Sequence, residues 1–312
     1  MPFTRVHHVG LAAPDLEQGK HVFVDGFGLA IDEHRTPWPG GLKNAQEGVA
    51  QIQIPIGELY YEVSAPLNDD SIAAKFLEAN GGRPGMWYIS IASTDIRKDV
   101  EGLVSRGARI RGNWNGQGPV FLDTASTLGL LLQIVPEEHY YVHPMYRGNG
   151  VVQGMAHIGI AAKKAELTRH LWGDIFGLIE DKGAERGLEP PPPGERTGAA
   201  QDPVHLVEFP LGGVVIETSI PTTTDSGTAK LVESRATMGG TFHHTCPWAY
   251  DVHRFLDQVK EAGIQQIGSV PGPEVSRRVT GWLHPRSCLG MLVEVWNRLP
   301  GPGHYEVQKH PM

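Results

Sequence analysis

One pattern occurs four times along the chain and limits what it can fold into. Each copy opens on a short apolar strand that leads into a helix start, and closes on a second apolar strand. The opening segments are VHHVGLAAPDLE, WYISIASTDIRK, MAHIGIAAKKAE and FHHTCPWAYDVH, and the closing segments are LYYEVSAP, LLLQIVPE, VVIETSIP and MLVEVWNR. A repeated unit of this size buries its apolar face against its neighbours, so the fold is expected to be built from four similar units.

Each copy carries a polar residue in the same place on each of its two strands. The opening strands hold His8, Tyr88, His157 and His244, and the closing strands hold Glu62, Gln133, Glu217 and Glu294. Three imidazoles and three carboxylates in equivalent positions of a repeat are typical of a site for a divalent metal ion.

The spacing of these positions groups the four units into two pairs. The first and third units are longer than the second and fourth, which indicates a duplicated pair of units. A stretch rich in Gly and Pro separates the pairs. We therefore expect an N-terminal two-unit domain over residues 1–135, a linker over 136–154 and a C-terminal two-unit domain over 155–312.

Within a unit the expected order is strand, helix and then three strands. Asp15, Asp95 and Asp251 stand where an N-cap would start the first helix of units one, two and four. Residues 51–56 and 59–64 predict a hairpin in unit one, and 205–210 and 214–220 predict its counterpart in unit three. Short amphipathic helices are expected over 72–79 and 229–236.

Composition excludes several classes of partner. The formal net charge is −8 and no basic stripe is visible, which argues against binding of nucleic acid. The longest apolar run, 128–135, is too short to span a membrane, and no signal-peptide core follows the N-terminal MPFTR. Only two cysteines are present, so a reducing cytoplasm is the expected location.

Strand alternation predicts which side chains share a face. His157 should point with Gly159 and Ala161, and His244 with Cys246. His7 and His243 should point to the opposite face and be structural. A set of imidazoles and carboxylates does not require a thiolate, so Cys246 is expected to be a small core residue.

These residues resemble the vicinal oxygen chelate superfamily, which includes glyoxalase I, methylmalonyl-CoA epimerase, extradiol dioxygenases and antibiotic-sequestering proteins. The similarity to the epimerase branch lies in VGLAAPDLE, in EVSAPLNDDSIAAKFLEANGG and in WLHPRSCLGMLVEVWN, and it extends over two tandem copies. The resemblance implies an α+β fold, in which four βαβββ units form two curved, eight-stranded mixed sheets, each shaped as a cup.

The resemblance also implies where one divalent metal ion binds. In the C-terminal cup the ligands would be His157, Glu217, His244 and Glu294, the His-Glu-His-Glu set of bacterial glyoxalases. The N-terminal cup has Tyr88 in place of the second histidine and is expected to be metal-free. An alternative pairing of units across the halves, known in some tandem glyoxalases, would give His8, Glu62, His244 and Glu294 instead.

The leading functional hypothesis is a metal-dependent isomerase, epimerase or lyase. It would remove a proton α to a carbonyl of a small substrate with two adjacent oxygens, with Glu217 or Glu294 as the base. The metal would be Ni²⁺, Co²⁺, Mn²⁺, Fe²⁺ or Zn²⁺, since all accept imidazoles and carboxylates. The oligomeric state is open, with a homodimer as one option.

Two other functions stay open. His157, His244 and Glu294 could hold Fe(II) as a two-His-one-carboxylate triad in an extradiol-type dioxygenase. A non-catalytic small-molecule binding protein is the third hypothesis. One difference from the epimerases weakens the isomerase, epimerase or lyase hypothesis. At the positions that match their second catalytic carboxylate, this chain has Gln46 and Gln201. The adjacent Glu47 or Asp202 could take over that role after a shift of one residue.

Overall fold

The chain forms two seven-stranded mixed sheets, one in each half. The structure is a computed structural model and describes residues 2–45, 47–139, 142–182, 202–272 and 279–297. The N-terminal sheet contains β1 (Phe3–Ala12), β2 (Leu42–Asn44), β3 (Val49–Ile56), β4 (Leu59–Pro66), β5 (Gly85–Ser93), β6 (Val120–Phe121) and β7 (Leu131–Pro136). The C-terminal sheet contains β8 (Gly154–Ala162), β9 (Val204–Leu211), β10 (Val214–Pro221), β11 (Gly240–Trp248), β12 (Gln266–Ile267), β13 (Thr280–Leu283) and β14 (Leu292–Trp296).

The strand order shows how the four units pair. It is β2-β3-β4-β1-β5-β7-β6 in the first sheet and β12-β13-β14-β11-β8-β10-β9 in the second. The opening strands of two consecutive units lie antiparallel at the centre, β1 beside β5 and β8 beside β11. Each closing strand lies parallel to the opening strand of its own unit. The units therefore pair within each half, and the alternative pairing of units across the halves is not the one these sheets adopt.

The prediction of eight strands in each sheet exceeds the seven that the described residues form. In the second unit, four glycines with positive φ (Gly107, Gly112, Gly116 and Gly118) turn the chain repeatedly. Only an isolated bridge between Ile110 and Leu122 marks the place of a further strand there. In the third unit, the stretch ahead of β9 includes residues 183–201, which lie outside the described part of the chain.

Three of the helices begin at the predicted caps. They are α1 (Leu16–Lys20), α2 (Ile72–Ala79), α3 (Ile96–Ser105), α4 (Ala165–Thr168), α5 (Gly227–Arg235) and α6 (Val252–Glu261). Helix α1 continues into a π-helical segment (His21–Gly26), as α4 does into another (Arg169–Ile175). The carboxylates of Asp15, Asp95 and Asp251 each accept a hydrogen bond from the backbone N–H three residues ahead. Among the described residues, no helix has the length and apolar character needed to cross a membrane.

One continuous apolar core joins the two halves. It takes the inward-facing residues of both sheets, including Val9, Leu11, Ile158, Ile160, Ile216 and Val293, together with aromatic residues of the helices. Phe3 packs on Phe176 and Phe27 on Phe255, each pair with ring centroids 5.3 Å apart. The hydroxyls of Tyr61 and Thr245 form a buried hydrogen bond of 2.9 Å between the sheets. Each sheet thus packs one face into this core and carries its polar side chains on the other.

Candidate metal centre

Four neighbouring strands of the C-terminal sheet place the predicted ligands in two adjacent rows. Glu217 on β10 lies beside Gly159 on β8, and Gly159 lies opposite His244 on β11. His157, two residues before Gly159, occupies the next row on the same face. Glu294 belongs to that second row, since His244 pairs with Leu292 in the parallel β11–β14 register.

Gly159 gives the His244 ring the space it occupies. A Cβ atom at position 159 would lie 2.1 Å from Cε1 and Nδ1 of His244. The glycine therefore allows the imidazole to cross β8 and meet His157, whose Nε2 is 2.8 Å from Nε2 of His244. This explains on physical grounds the glycine two residues after the first ligand.

The two carboxylates complete a compact group of donor atoms. An oxygen of Glu294 lies 3.1 Å from Nε2 of His157 and 3.5 Å from Nε2 of His244. An oxygen of Glu217 lies 3.8 Å from both of these nitrogens. All four side chains are buried. The structure thus brings together the whole predicted set His157, Glu217, His244 and Glu294.

The spacing of these atoms fits a shared divalent ion. Donors bound at about 2.0–2.2 Å to one ion lie about 3 Å apart at right angles and about 3.4 Å apart in a tetrahedron. The observed separations of 2.8–3.8 Å cover that interval. Two imidazole nitrogens facing each other at 2.8 Å also require a proton or a cation between them, because both lone pairs point inward. Imidazole with carboxylate is a donor set for Zn, Ni, Co, Mn or Fe.

Glu294 and the imidazoles shift one another's pKa values. Burial alone would raise the pKa of the Glu294 carboxyl, but hydrogen bonds to His157 and His244 and their charges hold it well below its usual range. Burial alone would lower the pKa of His157, but the Glu217 and Glu294 carboxylates raise it above its usual value. The site therefore has a strong preference for positive charge at its centre.

Aromatic side chains form the walls around the imidazoles. The ring of Trp296 packs edge-on to His157 with centroids 4.6 Å apart, and Trp282 packs on His244 at 5.5 Å. Nδ1 of His157 is buried and has no hydrogen-bond partner among the described residues. The His157 ring is therefore held by packing against Trp296 and by the contacts of its Nε2 with His244 and Glu294.

A third buried acid in this part of the sheet, Glu208, was not identified from the sequence. It lies on β9 directly opposite Glu217, and burial followed by the charge of Glu217 raises its pKa to about 8, with His157 acting in the opposite direction. The hairpin register could have revealed it. A two-residue turn joins Leu211 to Val214, which pair with each other at the end of the hairpin. Glu208 lies three residues before Leu211 and Glu217 lies three residues after Val214, so the hairpin register pairs them.

The expectation that His7 and His243 face away from the site is wrong. The pairing of β1 with β5 shifts between Val6 and His8, and that of β11 with β8 shifts between Phe242 and His244. A bulge at these points breaks strict alternation. Nδ1 of His7 lies 2.9 Å from Nδ1 of His8, and the equivalent atoms of His243 and His244 are 3.1 Å apart. Each histidine therefore contacts the residue that follows it.

In the N-terminal sheet the equivalent positions are bonded to one another. The Tyr88 hydroxyl donates to Glu62 at 2.5 Å and lies 3.0 Å from Nε2 of His8. Gln51 donates a further hydrogen bond to Glu62 at 2.7 Å. Both groups of three potential ligands found among the described residues lie in the C-terminal sheet. His8 and Glu62 of the alternative set lie in the other sheet from His244 and Glu294.

The substitutes for a second catalytic carboxylate have other contacts. Asp202 accepts hydrogen bonds from the backbone N–H and the hydroxyl of Thr228, which ties it to the start of α5. Glu47 lies in the N-terminal half, where burial and then the charge of Glu62 raise its pKa. Gln46 and Gln201 lie outside the described residues.

The fold is a tandem pair of sheets, and the second sheet holds a cluster of side chains that could bind a metal ion. Residues 7–119 match the model of the Glyoxalase/Bleomycin resistance protein/Dioxygenase superfamily. Mitochondrial methylmalonyl-CoA epimerase of Bos taurus is 27% identical over 136 residues, which are 42% of this chain and 73% of the relative. The enzyme of the same name from Mus musculus is 29% identical over 136 residues, 42% of this chain and 71% of the relative.

Among solved structures, a triple mutant of 4-hydroxymandelate synthase from Streptomyces coelicolor shares the fold over both halves. Its TM-score is 0.63 at 14% identity, with 99% of this chain and 97% of that chain covered. Residues 7–119, in the N-terminal half of the chain, are thus similar to the glyoxalase, bleomycin resistance and dioxygenase superfamily.

Proposed function

We propose that the C-terminal cup holds one divalent transition-metal ion in an enzyme that removes a proton α to a carbonyl group. The observation that carries this proposal is the convergence of four buried side chains, with donor atoms 2.8–3.8 Å apart, on one face of the sheet. An isomerase, epimerase or lyase is the reaction class that uses such a site for proton transfer.

The contacts of the two carboxylates indicate a different role for each. The ion would supply a Lewis acid for two adjacent substrate oxygens and stabilise the negative charge that develops there. Glu294 contacts both imidazoles closely and serves as the anchoring carboxylate. Glu217 stands farther from both, at 3.8 Å, and is the carboxylate that can withdraw to accept the proton.

The relatives suggest the first substrates to test. Proteins named methylmalonyl-CoA epimerase are similar to this chain over 42% of its length, so acyl-CoA thioesters with an α-proton are the first choice. Small 2-oxo and 2-hydroxycarbonyl compounds, which present two adjacent oxygens, are the second choice.

The test is exchange of the substrate α-proton with deuterium from solvent, followed by NMR on the metal-loaded protein. The intact protein should exchange the α-proton of its substrate. The variant Glu217→Gln should retain the metal but lose exchange by at least about 100-fold, the range of a lost general base. Glu62→Gln, the equivalent change in the N-terminal cup, is the matched control and should exchange normally. Normal exchange in Glu217→Gln would contradict the proposed role.

A second candidate function rests on one detail of the geometry. His157, His244 and Glu294 form the tightest group, with separations of 2.8, 3.1 and 3.5 Å, while Glu217 is more distant. Two histidines and one carboxylate with open positions are the ligand set of non-haem Fe(II) oxygenases. Substrate-dependent oxygen consumption that requires Fe²⁺, without α-proton exchange, would favour this dioxygenase over the first candidate. Recovery of a tightly bound compound in chemically unchanged form would instead favour a non-catalytic binding protein.

A further inference from the structure

Cys246 lies between two of the proposed ligands. Its strand, β11, is flanked by β8 on one side and β14 on the other. Cys246 pairs directly with His157 in the antiparallel register, and it stands one position after Thr245, the partner of Val293, which places it beside Glu294. The Cys246 sulfur and donor atoms of His157 and Glu294 all lie within 4.8 Å of one another. Cys246 therefore belongs to the same row of side chains as these two ligands.

The other half of the molecule shows what this position does. The equivalent residue of the N-terminal sheet is Ser90, which pairs with His8 on one side and with Gln133 on the other. Its hydroxyl donates a hydrogen bond of 2.9 Å to the side chain of Gln133, the counterpart of Glu294. In both halves this position thus holds a small polar side chain on the cup face, directed at the ligand position of the closing strand.

The surroundings of Cys246 leave its sulfur close to the centre. The residue is fully buried and packs with Ala156 and Trp296. Its sulfur lies 3.7 Å from the carbonyl oxygen of Pro247, which is a weak contact for a thiol. The expectation from the sequence that Cys246 is only a small core residue does not account for its place beside His157 and Glu294.

We infer that Cys246 is a further, sulfur ligand of the metal centre; this inference rests on the proposed metal site. Binding of the ion would release the thiol proton to solvent as the thiolate forms its bond to the metal. A thiolate beside two imidazoles favours Co²⁺, Ni²⁺ or Zn²⁺ over Mn²⁺ or Mg²⁺. The cysteine would thereby select among ions that the carboxylates and imidazoles alone do not distinguish.

Titration of the metal-free protein with Co²⁺ tests this inference by absorption spectroscopy. Visible ligand-field bands report that the ion is bound, and a near-ultraviolet charge-transfer band reports a cobalt–thiolate bond. Both should develop in the intact protein. In Cys246→Ser, which introduces the residue used by the other half, the ligand-field bands should remain while the charge-transfer band disappears. The affinity for Co²⁺ should fall by about tenfold or more, with a smaller change for Mn²⁺.

Cys288→Ser is the matched control, because Cys288 is the second buried cysteine and packs in the apolar core. It should keep both bands. Ligand-field bands without a charge-transfer band in the intact protein would overturn the inference and leave the proposed function standing. Loss of the charge-transfer band in Cys288→Ser instead of Cys246→Ser would also overturn it. No Co²⁺ binding at all would contradict the proposed metal site and the inference together.

Discussion

Tyr88 and His244 occupy the same position in the two sheets, and each side chain crosses a glycine of the neighbouring strand. A Cβ atom at Gly10 would lie 2.0 Å from the Tyr88 ring, as one at Gly159 would lie 2.1 Å from the His244 ring. In the C-terminal cup the crossing side chain meets a second imidazole. In the N-terminal cup its hydroxyl bonds to Glu62, at the point where a metal ligand would otherwise stand. This difference, together with Gln133 in place of Glu294, separates the proposed metal cup from its counterpart.

The first prediction is that the N-terminal cup can be converted into a metal site. Replacing Tyr88 by His and Gln133 by Glu restores two imidazoles and two carboxylates on that face, with His8 and Glu62 already in place. The double variant should bind two divalent ions per chain where the intact protein binds one, as measured by elemental analysis after gel filtration. Two ions already present in the intact protein would contradict our assignment of the N-terminal cup as metal-free.

The second prediction concerns the close approach at Gly159. Its replacement by Ala forces the His244 ring away from His157, so metal affinity should fall by about tenfold or more, the range found when groups that orient metal ligands are lost. Gly173→Ala is a suitable control, because the nearest side-chain atom, Cε1 of Phe209, would lie 3.8 Å from the new Cβ. Isothermal titration with Zn²⁺ measures both variants. Equal affinities would show that the His244 ring does not need this space.

The third prediction is a pH dependence of stability caused by Glu208. Burial and then Glu217 raise the pKa of this carboxyl in the folded protein to about 8, above its usual value. The folded state therefore keeps a proton that the unfolded chain loses, and the free energy of unfolding falls as pH rises from about 4.5 to 8. The slope from this group is at most about 1.4 kcal/mol per pH unit.

Glu208→Gln removes this contribution, so the metal-free variant should lose less stability than the intact metal-free protein across that pH interval. Urea unfolding at several pH values provides the comparison. Glu233→Gln, on helix α5 outside the cup, serves as the control substitution. Parallel curves for the intact protein and Glu208→Gln would show that Glu208 ionises normally in the folded state.

Local signals in the sequence predicted much of this fold. The caps at Asp15, Asp95 and Asp251 start helices as predicted, and α2 spans Ile72–Ala79 as its amphipathic pattern indicated. The repeat also predicted that His157 and His244 lie in one site, because equivalent positions of a duplicated unit meet where the units pair.

Features that depend on strand register were harder to predict. The bulges before His8 and His244 reverse the expected direction of His7 and His243, and nothing local in these segments announces a bulge. The place of Cys246 beside Glu294 depends on which strands flank β11, a property of the sheet order. The missing strand of unit two results from successive glycine turns that outweigh the repeat pattern.

Metal content after substitution of equivalent histidines is the decisive measurement for a single ion bound in the C-terminal cup. His157→Ala and His8→Ala remove the first imidazole of the C-terminal and N-terminal cups, respectively, and elemental analysis of each purified variant gives the number of ions per chain. We expect one ion in the intact protein, one in His8→Ala and none in His157→Ala. Full metal content in His157→Ala, or loss of the ion in His8→Ala, would contradict this expectation.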